Sequence, residues 1–131
     1  MLDSLENSLK KIKILVVEDD LVSVIYFKII LKEIASEILI CDNGENAVEI
    51  CRNNPDIDLV LMDLKLKAMS GNEATKQIRL FNKEIIIIAQ TACIISGTIE
   101  KAIIDGCNDY ISKPINKKNL FLILQMYFSK D

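Results

Sequence analysis

Carboxylates stand at two points of the chain where an apolar run ends. Glu18, Asp19 and Asp20 follow the run KILVV, and Asp63 follows the run DLVLM. Carboxylates that lie close together repel one another and need a cation to offset their charge. Oxygen ligands with room for water and a phosphate suit a Mg²⁺ ion. The pattern therefore predicts an acidic Mg²⁺ site, provided that the fold brings the two runs side by side.

Complementary groups follow two later apolar runs. Thr91 and Ala92 come after IIIIAQ, and Lys113 directly precedes Pro114, one of only two prolines in the chain. A carboxylate such as Asp63 can act as a nucleophile toward a phosphoryl group while Mg²⁺ and a lysine neutralise the charge on the oxygens. Thr91 can then donate a hydrogen bond to the arriving group, and the small Ala92 leaves space for it.

Each of these groups also has a simpler interpretation. Asp20 directly precedes a predicted helix, so we expect it to cap that helix. A lone threonine after a strand often reflects strand propensity alone, and a lone Lys-Pro pair is usually part of a loop. Four strand ends that supply complementary groups to one crevice favour the chemical interpretation.

The elements that must position these groups are strands and helices in alternation. Apolar runs rich in Ile and Val alternate with longer amphipathic stretches. Continuous apolar runs are typical of strands covered on both faces of a parallel sheet. Right-handed crossovers then give an α/β fold with helices on both faces and a ligand crevice beyond the carboxyl ends of the strands. The predicted strands are 13–17, 37–41, 59–62, 85–89 and 110–111, and the predicted helices are 21–35, 45–52, 71–80, 96–105 and 117–128.

Size and charge exclude several classes of protein. The chain has 131 residues and a net charge of -3, with acidic and basic residues interspersed. We expect a tail or helix stub over 1–10 and one domain over 11–131. A basic stripe that would bind nucleic acid is absent. The apolar runs are far shorter than the roughly 20 residues that span a bilayer, and the N-terminus has no signal-peptide pattern, so we expect a cytoplasmic protein without membrane insertion.

The chain contains no histidine and four cysteines without CxxC spacing. The absence of histidine excludes His-based zinc sites, Ser-His and Cys-His nucleophile pairs, and a phosphohistidine carrier role. For the cysteines we expect buried, reduced thiols.

Four segments, in this order and spacing, match the pattern of a known family: ILVVEDD at 14–20, DLVLMDLKLKAMSGNEATKQIR at 58–79, IIIIAQTA at 85–92 and GCNDYISKPI at 106–115. Together they resemble the receiver domain of two-component response regulators, either stand-alone or from a hybrid histidine kinase. The resemblance implies a flavodoxin-like (βα)5 three-layer sandwich with a parallel five-stranded sheet in the order 2-1-3-4-5. It also implies phosphorelay signalling rather than turnover of a separate substrate.

The resemblance assigns roles at the acidic site. Asp63 resembles the phosphoacceptor, which takes a phosphoryl group from the phosphohistidine of a histidine kinase or a histidine phosphotransfer protein. Glu18 and Asp19 resemble the acidic pair that holds Mg²⁺ together with Asp63, and the backbone carbonyl of Lys65 is expected to complete the protein ligands. Lys113 resembles the lysine that pairs with the phosphoryl oxygens.

The resemblance also implies a switch. Thr91 and Tyr110 resemble the pair that moves on phosphorylation, and Ala92 is expected to contact the phosphoryl group. In the family the Lys-Pro bond is cis, a geometry that X-Pro bonds adopt at modest cost. We therefore predict a cis bond between Lys113 and Pro114, which aims the lysine into the site.

Two helices carry more apolar residues than a core needs. Leu21, Ile25 and Ile29 form a stripe opposite the predicted inward set, and in the family this helix commonly meets the phosphodonor. The alternative interpretation is that they are scattered surface residues of an Ile-rich chain. The last helix, LFLILQMYF, is apolar at every position except Gln125, which suggests an output partner or a homodimer through that helix. The predicted inward set of the first helix is Val22, Tyr26, Phe27, Ile30 and Leu31.

The chain departs from the family pattern after the phosphoacceptor. Leu66-Lys67 replaces the usual Met-Pro pair, so the loop lacks a stiffening proline. Lys65 stands two residues after the phosphoacceptor, where the family varies the side chain and with it the lifetime of the aspartyl phosphate, and Cys93, two residues after Thr91, flanks the same entrance. Neither resembles a water-positioning acid or amide. We hypothesise that both alter self-dephosphorylation.

Three alternative functions compete with a phosphorylated receiver. An aspartyl phosphohydrolase needs a second aspartate two residues after the nucleophile, where this chain has Lys65. A flavodoxin-like cofactor binder needs a phosphate-cradling loop after the first strand, where EDD would repel an anion. A pseudo-receiver adapter would bind partners without phosphorylation, and the full set of site residues argues against it.

Overall fold

The computed structural model describes residues 7–95 and 97–130, and within them five parallel strands form one sheet in the order β2-β1-β3-β4-β5. This is the predicted α/β fold with the strand order that the family resemblance implies. The strands are β1 (Ile12–Val17), β2 (Ala35–Cys41), β3 (Leu59–Asp63), β4 (Ile86–Thr91) and β5 (Asp109–Ser112). The helices that connect and follow them are α1 (Leu21–Leu31), α2 (Gly44–Asn53), α3 (Gly71–Arg79), α4 (Thr98–Asp105) and α5 (Lys117–Phe128).

The sheet is buried on both faces because alternate strand residues enter two separate cores. Leu15 and Val17 of β1 pack with residues of α2, α3 and α4, whereas Ile14 and Val16 pack with residues of α1 and α5. The central strand β3 is buried along its whole length. Two helix layers around one sheet give the predicted three-layer sandwich, and they leave the carboxyl ends of the strands open at one edge.

Polar side chains fix the points where helices begin. The carboxylate of Asp20 accepts a hydrogen bond from the backbone N–H of Ser23 at 3.0 Å, so Asp20 caps α1 as predicted. Asn43, Ser70 and Asn116 cap α2, α3 and α5 in the same way. These caps satisfy backbone donors that the first turn of a helix leaves unpaired.

The inward face of α1 differs from the prediction at two residues. Val22 is 73% exposed and Tyr26 is 38% exposed, so placing them against the sheet was wrong. Val24 is buried instead, together with Phe27, Ile30 and Leu31, which were predicted to face inward. The helix is apolar around most of its circumference, so the sequence pattern did not determine its rotation. The predicted helix was also too long, since β2 already begins at Ala35.

The two ends of the described chain lie side by side. Leu9 is buried and forms an antiparallel bridge with Ser129, and the backbone N–H of Lys10 donates to the carbonyl of Phe128 at 2.9 Å. Leu2 and Leu5, which belong to the predicted tail or helix stub, lie outside the described residues, as does Ser96 at the predicted start of α4. In the part of the chain that the structure covers, no helix is long and apolar enough to cross a bilayer.

Candidate functional site

The predicted site residues meet at the carboxyl edge of the sheet because neighbouring strands run parallel and end together. Glu18 directly follows β1, Asp63 and Thr91 are the last residues of β3 and β4, and Lys113 directly follows β5. These residues line one open cleft, hereafter the cleft, whose other lining residues are Asp19, Asp20, Lys65, Leu66, Lys67, Ala92, Cys93, Ile94 and Ile95.

Lys113 is shared between two buried carboxylates. Its Nζ atom lies 3.0 Å from Asp63 Oδ2 and 3.1 Å from Glu18 Oε1. Burial disfavours the charged form of Lys113, but its contacts with the two carboxylates outweigh burial and raise its pKa above the ordinary value. The peptide bond between Lys113 and Pro114 is cis, which confirms the prediction for that bond.

Glu18 is buried in the floor of the cleft, and its two carboxylate oxygens have different partners. Burial raises its pKa above the ordinary value, although the N–H of Asp20 and the ammonium of Lys113 favour the charged form. Glu18 Oε2 accepts the hydrogen bond from the Asp20 N–H at 3.1 Å. Glu18 Oε1 contacts Lys113 as an ion pair but receives no well-aligned hydrogen bond from the described residues. A buried carboxylate oxygen without a hydrogen bond is a suitable metal ligand.

The acidic groups fit a divalent cation. One carboxylate oxygen from each of Glu18, Asp19 and Asp63 lies within 4.8 Å of the others. Asp19 is exposed at the mouth of the cleft, so a hydrated ion can reach the group from solvent. Asp63 Oδ1 accepts a hydrogen bond from the backbone N–H of Lys65 at 3.1 Å, which holds the following loop against the carboxylate. The carbonyl of Lys65 as a further ligand stays a prediction.

Thr91 is engaged with the loop that follows β4. Its hydroxyl accepts a hydrogen bond from the backbone N–H of Cys93 at 3.0 Å and lies 3.2 Å from the Cys93 carbonyl. Ala92 and Cys93 are exposed and border the cleft. Tyr110 is half-buried and packs against the core beneath α2, α3 and α4, so the structure places it outside the lining of the cleft. Its part in a switch stays a prediction.

Three of the four cysteines are buried and one is exposed. Burial raises the pKa of Cys41 to about 11, of Cys51 to about 12 and of Cys107 to about 11. Cys93 is exposed in the loop after β4, so the expectation of a buried thiol was wrong at this position. The sequence places Cys93 two residues past a strand end, where the chain has already left the sheet.

Sequence reasoning missed several features next to the cleft. Ile94 and Ile95 are 50% and 63% exposed at its rim. A second groove lies beside Lys113, and α1 and the segment after β5 form its walls through Val22, Tyr26, Phe27, Pro114 and Ile115. The available signal was the run of apolar residues around α1, which is longer than a single buried face requires.

Comparison with known proteins agrees with this geometry. The family model described as the response regulator receiver domain matches residues 14–125. Hybrid signal transduction histidine kinase G of Dictyostelium discoideum is 35% identical over an alignment of 132 positions, which covers 97% of this chain but 4% of that relative.

Two solved structures are also similar. The receiver domain of Ssk1 from Saccharomyces cerevisiae, crystallised with the histidine phosphotransfer signaling protein Ypd1, has a TM-score of 0.85 and 32% identity, with 92% of this chain and 90% of that chain covered. The receiver domain of sensor histidine kinase PA1611 from Pseudomonas aeruginosa has a TM-score of 0.80 and 31% identity, with 89% of this chain and 97% of that chain covered. That structure holds a magnesium ion in its active site cleft.

Proposed function

Because the chain belongs to the response regulator receiver domain family, we propose that it is a phosphorelay component that accepts a phosphoryl group on Asp63. One observation carries the proposal. The Asp63 carboxylate stands at the end of a buried strand, in contact with the Lys113 ammonium at 3.0 Å and within reach of two further carboxylates. This arrangement joins a nucleophilic oxygen to groups that neutralise a phosphoryl group.

Transfer replaces one phosphorus bond by another. An Asp63 oxygen attacks phosphorus, and the bond between phosphorus and the imidazole nitrogen of the donor breaks, leaving its electron pair on that nitrogen. Glu18, Asp19, Asp63 and the Lys65 carbonyl would hold Mg²⁺, which supplies positive charge against the phosphoryl oxygens when bound. Lys113, whose Nζ atom lies 3.0 Å from Asp63 Oδ2, supplies a second positive charge.

The phosphohistidine donor is proposed to be a histidine kinase or a histidine phosphotransfer protein that docks on α1. Leu21, Val22, Ile25 and Ile29, hereafter the α1 apolar face, are between 51% and 73% exposed. The groove between α1 and Pro114 connects this face to Lys113 at the edge of the cleft. The similar Ssk1 receiver was crystallised with such a phosphotransfer protein, which supports this choice of donor.

Output is proposed to pass through the last helix to a partner protein or a second copy of the chain. On α5, Met126 is 72% exposed and Leu122 is 44% exposed, although the rest of the helix contributes Leu120, Phe121 and Leu124 to the core. Tyr110 lies on the neighbouring strand β5, and its movement together with Thr91 would connect the cleft to this surface. The chain then acts as a cytoplasmic signalling switch rather than as an enzyme with a separate substrate.

Intact mass after incubation with acetyl phosphate tests the proposal. We expect the wild type to gain one phosphoryl group in the presence of Mg²⁺ and to gain none with a chelator or in Asp63→Asn. Asp56→Asn is the matched control, because Asp56 is an exposed carboxylate that pairs with Lys13 near the opposite end of the sheet. It should be phosphorylated like the wild type.

A negative result would point to a different function. No mass gain from acetyl phosphate or from a phosphohistidine donor, together with no response to beryllofluoride, would overturn the proposal. It would favour an adapter that binds partners without phosphorylation.

A further inference from the structure

Gln90 interrupts the apolar face of β4 that packs under α1 and α5. Its side chain is completely buried, and the alternate strand residues Ile86 and Ile88 belong to that core. A buried amide is costly unless its polar atoms find hydrogen-bond partners. The position of these partners indicates why an amide stands where the pattern of the strand calls for another apolar residue.

Gln90 connects three strands at the edge where they end. Its Nε2 atom donates to the carbonyl of Leu61 in β3 at 3.0 Å and lies 3.4 Å from the carbonyl of Val17 in β1. Its own carbonyl accepts a hydrogen bond from the N–H of Leu64 at 3.1 Å. In the sheet register Gln90 lies directly opposite Asp63. A single residue of β4 therefore contacts the backbone on both sides of Asp63 and the last residue of β1.

These contacts lie immediately behind the carboxylates of the cleft. Val17 directly precedes Glu18, and Leu61 and Leu64 flank Asp63 within two residues. Regular pairing between β1 and β3 ends at Val17 and Met62. The next residues, Glu18 and Asp63, carry carboxylates that repel each other. A side chain that binds both strands at this point resists their separation.

Stability alone does not account for Gln90. Its Oε1 atom is buried and has no hydrogen-bond partner among the described residues. A buried acceptor left without a partner is destabilising, whereas an apolar side chain of the same shape would avoid that loss. The loss at Oε1 therefore offsets the stabilisation from the Nε2 contacts, so the amide adds little net stability at this position.

We propose that Gln90 is a positioning residue that sets the separation between Glu18 and Asp63 for a bound divalent cation. The inference rests on the proposed function, since it concerns the same Mg²⁺ site. Gln90 acts through the backbone of β1 and β3 and does not line the cleft itself.

Gln90→Met provides the test, because methionine keeps the length of the side chain and removes both the donor and the unpaired acceptor. Isothermal calorimetry should show Mg²⁺ binding about tenfold weaker than in the wild type, as is typical when a residue that orients metal ligands is lost. The midpoint of urea unfolding in EDTA should stay the same or rise. Ile88→Val is the matched control, since Ile88 is equally buried on the same face of β4. It should lower the unfolding midpoint and leave the Mg²⁺ affinity unchanged.

Several outcomes would overturn the inference. Equal Mg²⁺ affinity in Gln90→Met and the wild type would show that the amide does not position the carboxylates. Loss of affinity in both variants, in proportion to lost stability, would assign Gln90 an ordinary core role. If neither Gln90→Met nor Gln90→Leu folds, Gln90 would likewise have an ordinary core role. If the wild type itself binds no Mg²⁺, the proposed function fails together with the inference, which separates that case from the others.

Discussion

At the residue scale, the positive charge on Lys113 balances the negative charges of the Asp63 and Glu18 carboxylates. The two carboxylates are buried, and one ammonium contacts both within 3.1 Å. Removing a charge from a buried group of this kind leaves the remaining charges uncompensated. The cleft is therefore arranged for an added cation, which would share with Lys113 the task of balancing the carboxylates.

The residues at the mouth of the cleft lead to a prediction about the lifetime of a phosphorylated state. Lys65 and Cys93 both line the cleft, and neither side chain offers a carboxylate or amide to orient a water molecule. Replacing them together, Lys65→Asn with Cys93→Glu, should accelerate loss of the phosphoryl group roughly tenfold or more, because a positioned base aids attack by water. The decay is measured by intact mass after removal of acetyl phosphate.

Lys67→Asn is the control for this pair, since Lys67 is exposed and lines the same cleft. It should leave the decay rate close to that of the wild type. An unchanged rate in the double variant would show that these two positions do not govern the lifetime.

At the element scale, continuous apolar runs identified β1, β3 and β4, because strands buried on both faces need apolar side chains at every position. The same reasoning predicted that β4 ends at Ala89, whereas the strand continues through Gln90 and Thr91. Polar residues inside a buried strand depend on partners from distant segments, such as the carbonyls of Val17 and Leu61, and no local pattern contains them. The orientation of α1 about its own axis was predicted incorrectly for a related reason. A helix that is apolar on most sides has no distinct inner face in its sequence.

The approach of α3 to the end of β3 gives a second prediction. Gly71 begins α3, and a Cβ atom there would lie 2.2 Å from the carbonyl oxygen of Asp63. Gly71→Ala should therefore lower the free energy of unfolding by about 3 kcal/mol, since the overlap is with backbone that cannot move freely. It should also weaken Mg²⁺ binding, because relief of the overlap displaces Asp63. Urea unfolding and calorimetry measure the two effects.

Gly44→Ala is the matched control at the first residue of α2. The nearest atom to its Cβ would be the Met69 carbonyl oxygen at 3.0 Å, so the neighbour needs to move by only a few tenths of an ångström. The change should alter stability by about 1 kcal/mol or less and leave Mg²⁺ binding intact. Equal effects of the two alanines would contradict the proposed role of the α3 contact.

At the scale of the whole molecule, the two ends of the described chain and the cleft lie at opposite edges of the sheet. Leu9 and Lys10 contact Phe128 and Ser129 next to the start of β1, whereas the site residues follow the strands at their carboxyl ends. This arrangement suits a domain that also occurs within much longer relatives, such as the Dictyostelium hybrid kinase, of which the chain spans 4%.

The acidic edge also couples metal binding to the stability of the whole domain. Glu18, Asp19 and Asp63 are brought together only by folding, so Mg²⁺ should bind the folded state and stabilise it by about 2.7 kcal/mol at a concentration 100 times its Kd. For a domain of this size the melting temperature should rise by roughly 10 °C relative to EDTA. Asp19→Asn is the control, because this exposed carboxylate is expected to bind metal without supporting the core. It should lose most of the Mg²⁺ shift, whereas an equal shift in both proteins would place the metal elsewhere.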